Sequence, residues 1–116
     1  IVKDVPPLIE EILKDAHVQK QDIAYFFFHQ PNRYILEKLA DRMEVPREKL
    51  PMDIVEKYGN SNSSTVPMVI TENASQEMLE SRRLVCLSGF GSGLTWAALV
   101  MEMGELDFCQ MIESVY

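Results

Sequence analysis

The segment from Ile23 to Phe28 constrains the fold more than any other, because Ile23, Ala24, Tyr25, Phe26, Phe27 and Phe28 are apolar in unbroken succession. A strand with one face in water alternates apolar and polar side chains; a strand covered on both faces does not. The run therefore predicts a buried strand with other elements packed above and below it. It ends abruptly in His29, Gln30, Pro31 and Asn32. In open α/β sheets ligands gather beyond the carboxyl ends of strands, so chemistry is expected at His29, on the lip of the sheet.

The remaining elements follow from periodicity and punctuation. Asp4 is placed to cap a first helix whose opening turn tolerates Pro6 and Pro7, with Leu8, Ile9, Ile12, Leu13 and Ala16 on one face. His17 then suits the helix C-terminus, a structural position. After the strand, Asn32 is placed to cap a second helix buried through Ile35, Leu36, Leu39, Ala40 and Met43, and Pro46 stops it. A short strand is expected near Met52 to Val55, followed by a polar turn from Gly59 to Thr65. A third helix is expected from Ser63 to about Asn73, with Val66, Val69 and Ile70 inward, and Ala74 to Arg82 as a loop with a helical turn. Strands at Arg83 to Gly89 and at Leu94 to about Met103 flank a glycine-containing turn and can pair as a hairpin. The order α-β-α-β-α-β-β calls for an α/β fold: a mixed β-sheet with packed helices. No repeat, low-complexity segment or linker divides the chain, so residues 1–116 are expected to form a single domain.

Composition removes several function classes. The net charge of −7 argues against nucleic acid, whose binding depends on clustered Lys and Arg. No apolar run approaches the length of about 20 residues that a spanning helix needs, and no secretory leader is visible, so neither membrane nor secretion is expected. Two cysteines, Cys86 and Cys109, make neither a disulfide framework nor a zinc site and suit a reducing cytoplasm. Cys86, inside the apolar run from Leu84 to Leu87, is expected in the core, and Cys109 lacks an adjacent base. The most basic stretch, Arg33 to Lys49, is interleaved with carboxylates. It is either a solvated helix face laced with i,i+4 pairs or a docking face for an acidic carrier protein or a phosphate tail.

Taken singly, His29 reads as a hydrogen-bonded structural residue and Asn60 as ordinary turn chemistry. As a pair, they are two neutral donors at the ends of expected neighbouring strands, able to point at one carbonyl oxygen, which is what stabilising an enolate requires. Asn32 reads as the cap of the second helix. Around Gly91 and Ser92 the backbone forms either a bare tight turn or an oxyanion hole made of amides. Phe90 belongs to the core or to a substrate-binding pocket; Trp96 and the seven methionines read as packing. No second His, Cys or carboxylate stands at ligand spacing from His29, so no metal is expected.

Three motifs occur in sequence: His29-Gln30-Pro31-Asn32, Tyr58-Gly59-Asn60-Ser61, and Gly89-Phe90-Gly91-Ser92-Gly93-Leu94-Thr95-Trp96. In this order and near this spacing, the chain from roughly Val5 to Glu102 resembles the C-terminal half of β-ketoacyl-acyl carrier protein synthase III, a condensing enzyme of the thiolase fold. The resemblance implies a C-terminal thiolase-like half-domain, entered after its first strand and cut from a longer enzyme, in keeping with a start at Ile1. It also implies a decarboxylative condensation of an acyl thioester with malonyl-acyl carrier protein, in fatty acid or related polyketide synthesis. His29 and Asn60 would hold the malonyl thioester oxygen while carbon dioxide leaves, and Asn32 would lie near the pantetheine arm. No cofactor is implied beyond the substrates acyl-CoA and malonyl-acyl carrier protein. The implied partners are acyl carrier protein, acyl-CoA and, through the full-length protein, a second copy in a homodimer. The family's nucleophilic cysteine lies in the other half, so this chain alone is expected to be inactive. Two departures stand out: Ser92 where relatives often have glycine, and Tyr34 where they frequently have an arginine for carrier docking. The rival readings are a non-catalytic thiolase-fold partner and an acidic α/β interaction domain with chance motifs.

Overall fold

The computed structural model describes residues 4–30, 32–59, 65–91 and 95–110, with backbone alone at positions 55, 90, 91, 95 and 96. Helix α1, Val5–Asp15, accepts a proline in its first turn, where helical amides have no intrahelical acceptor to lose. Asp4 stands at its N-cap without a side-chain cap bond, and the buried face is Val5, Pro6, Ile9 and Leu13. Ala16 lies past the end of the helix and is exposed. Strand β1, Tyr25–Phe28, follows a single 3-10 turn at Lys20–Asp22 and is shorter than the apolar run suggests. Helix α2, Arg33–Met43, buries Leu36, Leu39, Ala40 and Met43 of the expected stripe, with Ile35 half-buried at its margin. Glu44, in the left-handed region at φ 56°, ends it two residues before Pro46.

The strand expected near Met52 to Val55 is not formed. Helix α3, Ile54–Tyr58, begins there instead. Pro51 has no N–H for a ladder, and the Ile54 amide is taken by the Gln30 side chain at 3.1 Å. The Lys57 amide closes a helical turn on the Asp53 carbonyl at 3.3 Å, and Lys57 Nζ stands 3.7 Å from the Asp53 carboxylate. Helix α4, Thr65–Glu80, also runs further than expected, bending at Ala74 (φ −137°, ψ 17°) rather than stopping near Asn73. Burial of Ala74 and Met78 carries its inner stripe beyond Val69 and Ile70 and pays for the extra turns.

Strands β2, Arg82–Gly91, and β3, Thr95–Gly104, form the expected hairpin, in register from Arg82↔Gly104 to Gly91↔Thr95. β1 runs parallel to β2, pairing Phe26 with Cys86 and Phe28 with Ser88, so the sheet order is β1-β2-β3. Gly104 is required where β3 ends: at φ 150°, a Cβ there would collide with the Ser81 carbonyl.

Alternation along the strands divides the interior in two. Phe26, Phe28 and Cys86 join α1 and α2 in one apolar cluster, with Ala98 and Val100 of β3 at its border. Phe27 and Val85 join Ile54, Val69, Ile70, Ala74 and Met78 in the other, beneath α3 and α4. β1 is thus covered on both faces, as its lack of alternation requires, and His29 stands where the covered strand gives out.

Candidate active site

The amide of His29 extends the parallel ladder one step beyond β1, donating to the Ser88 carbonyl at 2.9 Å. This holds a half-buried histidine at the carboxyl end of the strand. Ser88 itself is buried, and its hydroxyl donates to the Ala97 carbonyl at 3.1 Å, joining the two hairpin strands at the same level. Beside it opens a cleft of 210 Å³ between Leu87, Ser88 and Gly89 of β2, Ala97 to Leu99 of β3, and Val66 of α4. His29 and this apolar cleft therefore share Ser88 as a common support.

Beyond His29 the chain turns into α2. Asn32, extended at φ −166°, accepts the Ile35 amide on its Oδ1 at 2.9 Å, the cap bond expected of it. Between them Gln30 is fully buried, donating through Nε2 to the Pro51 carbonyl at 2.6 Å and accepting the Ile54 amide on Oε1. Sequence reasoning gave Gln30 no role. The available signal was a polar residue directly after an apolar run, where a buried amide must find partners.

Asn60 and Ser92 lie outside the described residues. The reasoning that brought Asn60 beside His29 used a strand before each of them, and that premise changes, since α3 precedes Gly59 and Asn60. The end of α3 is nonetheless well tied. Glu72 of α4 accepts from the Tyr58 hydroxyl at 2.6 Å and from Lys57 Nζ at 3.1 Å. These bonds hold the Glu72 carboxyl below the usual range, Tyr58 being the larger cause. Asn73 Nδ2 meets Asp53 Oδ1 at 3.0 Å at the other end of the same segment. Gly91 is the last residue of β2, opposite Thr95, and Phe90 pairs with Trp96. Residues 92–94, which join the two strands and carry the expected turn, lie outside the described residues.

Cys86 is buried, and desolvation pushes its thiol up to about 12, so it is protonated at neutral pH and is no nucleophile. Cys109 packs at the edge of the α4-side cluster. In the basic stretch from Arg33 to Lys49, Arg33 of α2 meets Glu37 at 3.1 Å and Glu56 at 3.3 Å, and Arg47, in the turn after α2, meets Asp41 at 3.3 Å, all of them solvated pairs. Tyr34 is 67% exposed, with Lys38 Nζ 5.5 Å from its ring centre. Among the described residues no three His, Cys, Asp or Glu side chains gather as a metal group, and no helix is long and apolar enough to cross a membrane.

Residues 13–103 match the family described as 3-oxoacyl-[acyl-carrier-protein (ACP)] synthase III C terminal. The chain is 34% identical over 103 residues to the beta-ketoacyl-[acyl-carrier-protein] synthase III of Prochlorococcus marinus strain MIT 9301, covering 89% of this chain and 30% of that protein. Its fold superimposes on a crystal structure of 3-oxoacyl-(acyl-carrier protein) synthase from Burkholderia xenovorans LB400 with a TM-score of 0.92 and 32% identity, over 97% of this chain and 32% of that one. The priming β-ketosynthase of the R1128 polyketide pathway is similar too, at a TM-score of 0.75 and 28% identity, over 89% of this chain and 31% of the other. The chain spans about a third of the length of each of these relatives. Its mixed sheet with helices on both faces agrees with that shared architecture: the chain belongs to the 3-oxoacyl-[acyl-carrier-protein] synthase III family, matching the C-terminal part of its thiolase fold.

Proposed function

We propose that this chain is the C-terminal catalytic half of an acyltransferase that condenses an acyl thioester with malonyl-acyl carrier protein, losing carbon dioxide. The observation that carries this reading is the position of His29 at the end of a covered strand, its amide bound to Ser88, a residue that also lines an apolar cleft, in a chain of this family. Breaking the bond to the malonyl carboxylate leaves its electron pair on the adjacent carbon, delocalised onto the thioester oxygen. Two neutral donors, His29 and Asn60, stabilise that oxygen as charge builds on it. The carbanion then attacks an acyl group carried as a thioester on a cysteine of the other half, forming the carbon–carbon bond and expelling the cysteine thiolate. The backbone amides of Gly91 and Ser92 serve the oxyanion of that second step. Asn32, whose Oδ1 is spent on its helix, offers its amide nitrogen to the pantetheine arm, and Phe90 borders the same arm.

On this reading the enzyme uses acyl-CoA and malonyl-acyl carrier protein, works in the cytoplasm and pairs as a homodimer through the full-length protein, with no cofactor. The chain by itself takes up no acyl group, since Cys86 is a buried thiol and Cys109 has no base. In the full-length protein, His29→Ala should slow malonyl decarboxylation by a factor corresponding to about 3 kcal/mol, as loss of one oxyanion donor does. Acylation of the cysteine, followed by mass spectrometry, should survive. Equal loss of both half-reactions would overturn the assignment.

A further inference from the structure

We propose that Gln30 is a positioning residue that holds His29 in its donating geometry, an inference that rests on the role of His29 given above. The backbone on each side of His29 is anchored to a different part of the molecule. On one side the His29 amide is bound to the Ser88 carbonyl of β2 at 2.9 Å. On the other, the fully buried Gln30 side chain grips a single turn, donating to the Pro51 carbonyl at 2.6 Å and accepting from the Ile54 amide at 3.1 Å.

Packing alone does not call for an amide here. A methionine would fill a similar volume without the cost of burying polar atoms, which is recovered only when both ends are paired. A primary amide offers a donor and an acceptor at one tip, and the turn presents one of each. The Ile54 amide is moreover an orphan donor at the start of α3. The two bonds thus fix the start of α3 against the end of β1, and in return they fix residue 30. Because consecutive Cα atoms are held 3.8 Å apart, a fixed residue 30 and a fixed amide at residue 29 leave the histidine little backbone freedom. Catalytic donors are sensitive to such freedom: a displacement of about 1 Å can cost on the order of 10²-fold in rate.

The test uses the full-length protein carrying this chain, with Gln30→Met and His29→Ala made singly and together. Two reactions are followed on each sample: carbon dioxide release from a malonyl thioester, and acylation of the protein by an acyl-CoA. Gln30→Met is expected to slow decarboxylation by about 10²-fold while leaving acylation intact, and the double variant should be no slower than His29→Ala alone, since Gln30 acts through His29. Gln30→Glu keeps the acceptor for Ile54 and loses the donor to Pro51 when ionised; it is expected to fall between wild type and Gln30→Met, and it decides the matter if Gln30→Met does not fold. Equal loss of both reactions, or losses that multiply in the double variant, would reduce Gln30 to a structural residue and overturn the proposal. Normal decarboxylation in Gln30→Met with a defective His29→Ala sinks the proposal alone, whereas normal decarboxylation in His29→Ala sinks the role of His29 as well.

Discussion

The two faces of the sheet are closed by different means. On the α1 and α2 face, Phe26, Phe28, Cys86, Leu36 and Leu39 are fully buried, and the cluster extends under β3 through Ala98 and Val100. On the α3 and α4 face the apolar cluster is smaller and meets the outer strand at Met103, whereas Leu99 is 51% and Met101 36% exposed. That face adds polar ties around its margin: Tyr25 to Glu77 at 2.6 Å, Arg83 to Glu77 at 3.4 Å, and Asp53 and Tyr58 to α4. Hydrocarbon closes one face, whereas the other relies in part on directional bonds that also hold the segment leading to the site. A face closed by hydrocarbon should dominate stability, and a face closed by polar ties should respond to pH.

The largest contrast is expected from truncation. Phe26→Ala removes a fully buried ring from the first cluster and should destabilise the chain by about 3–5 kcal/mol. Leu99→Ala, on the open side of β3, should change stability by no more than about 1 kcal/mol. Chemical denaturation of the two variants measures the difference directly. Comparable losses would mean that Leu99 is covered after all and that the faces are alike.

How far the sequence reveals this fold depends on which interactions decide each element. β1 and the α2 stripe are legible, because unbroken apolarity and 3.6-residue spacing report burial directly. The hairpin is legible too, since apolar segments flanking glycines have few alternatives. The segment after Pro51 was not. Met52, Ile54 and Val55 look like a strand, but the amide of Gln30 claims the Ile54 N–H and Asp53 starts a helical turn. Such a tertiary bond across 24 residues leaves no local signal. The same holds for α4, whose second half is set by the burial of Met78 rather than by a regular stripe. At the site, the polar cluster after β1 was visible as a cluster, and Asn32 as a cap. The clamp made by Gln30 was hidden, because its partners are backbone atoms and carry no residue identity.

A second, smaller effect should separate the faces by surface chemistry. Leu99 and Met101 expose apolar surface on the α4 side of the outer strand, and Leu106 at 38% and Phe108 at 76% exposure follow that strand in the chain. Exposed apolar patches promote association, so the chain should self-associate at micromolar concentration. Replacing Leu99 and Met101 by aspartate should suppress that association in sedimentation experiments while leaving the denaturation midpoint almost unchanged. A compact monomer before substitution, or a collapse of stability after it, would contradict the picture of an open face.

The smallest effect concerns pH, and it belongs to the polar side alone. Partial burial, and then the bond to Glu77, push the Tyr25 hydroxyl up to about 12. In the unfolded chain a tyrosine ionises near 10. Below about pH 10 the hydroxyl is neutral in both states and the Tyr25–Glu77 bond contributes in full. As pH rises from there towards 12, the unfolded chain releases its proton first, so the contribution is lost progressively across that window. Tyr25→Phe lacks both the bond and the proton. Its stability should therefore be slightly lower than wild type at neutral pH, and the two curves should converge above pH 10. The denaturation midpoints of the pair, followed from pH 8 to 11, test this: since both side chains keep the ring stacked on Phe27, a gap that stays constant across that range would show that ionisation of the hydroxyl does not set it.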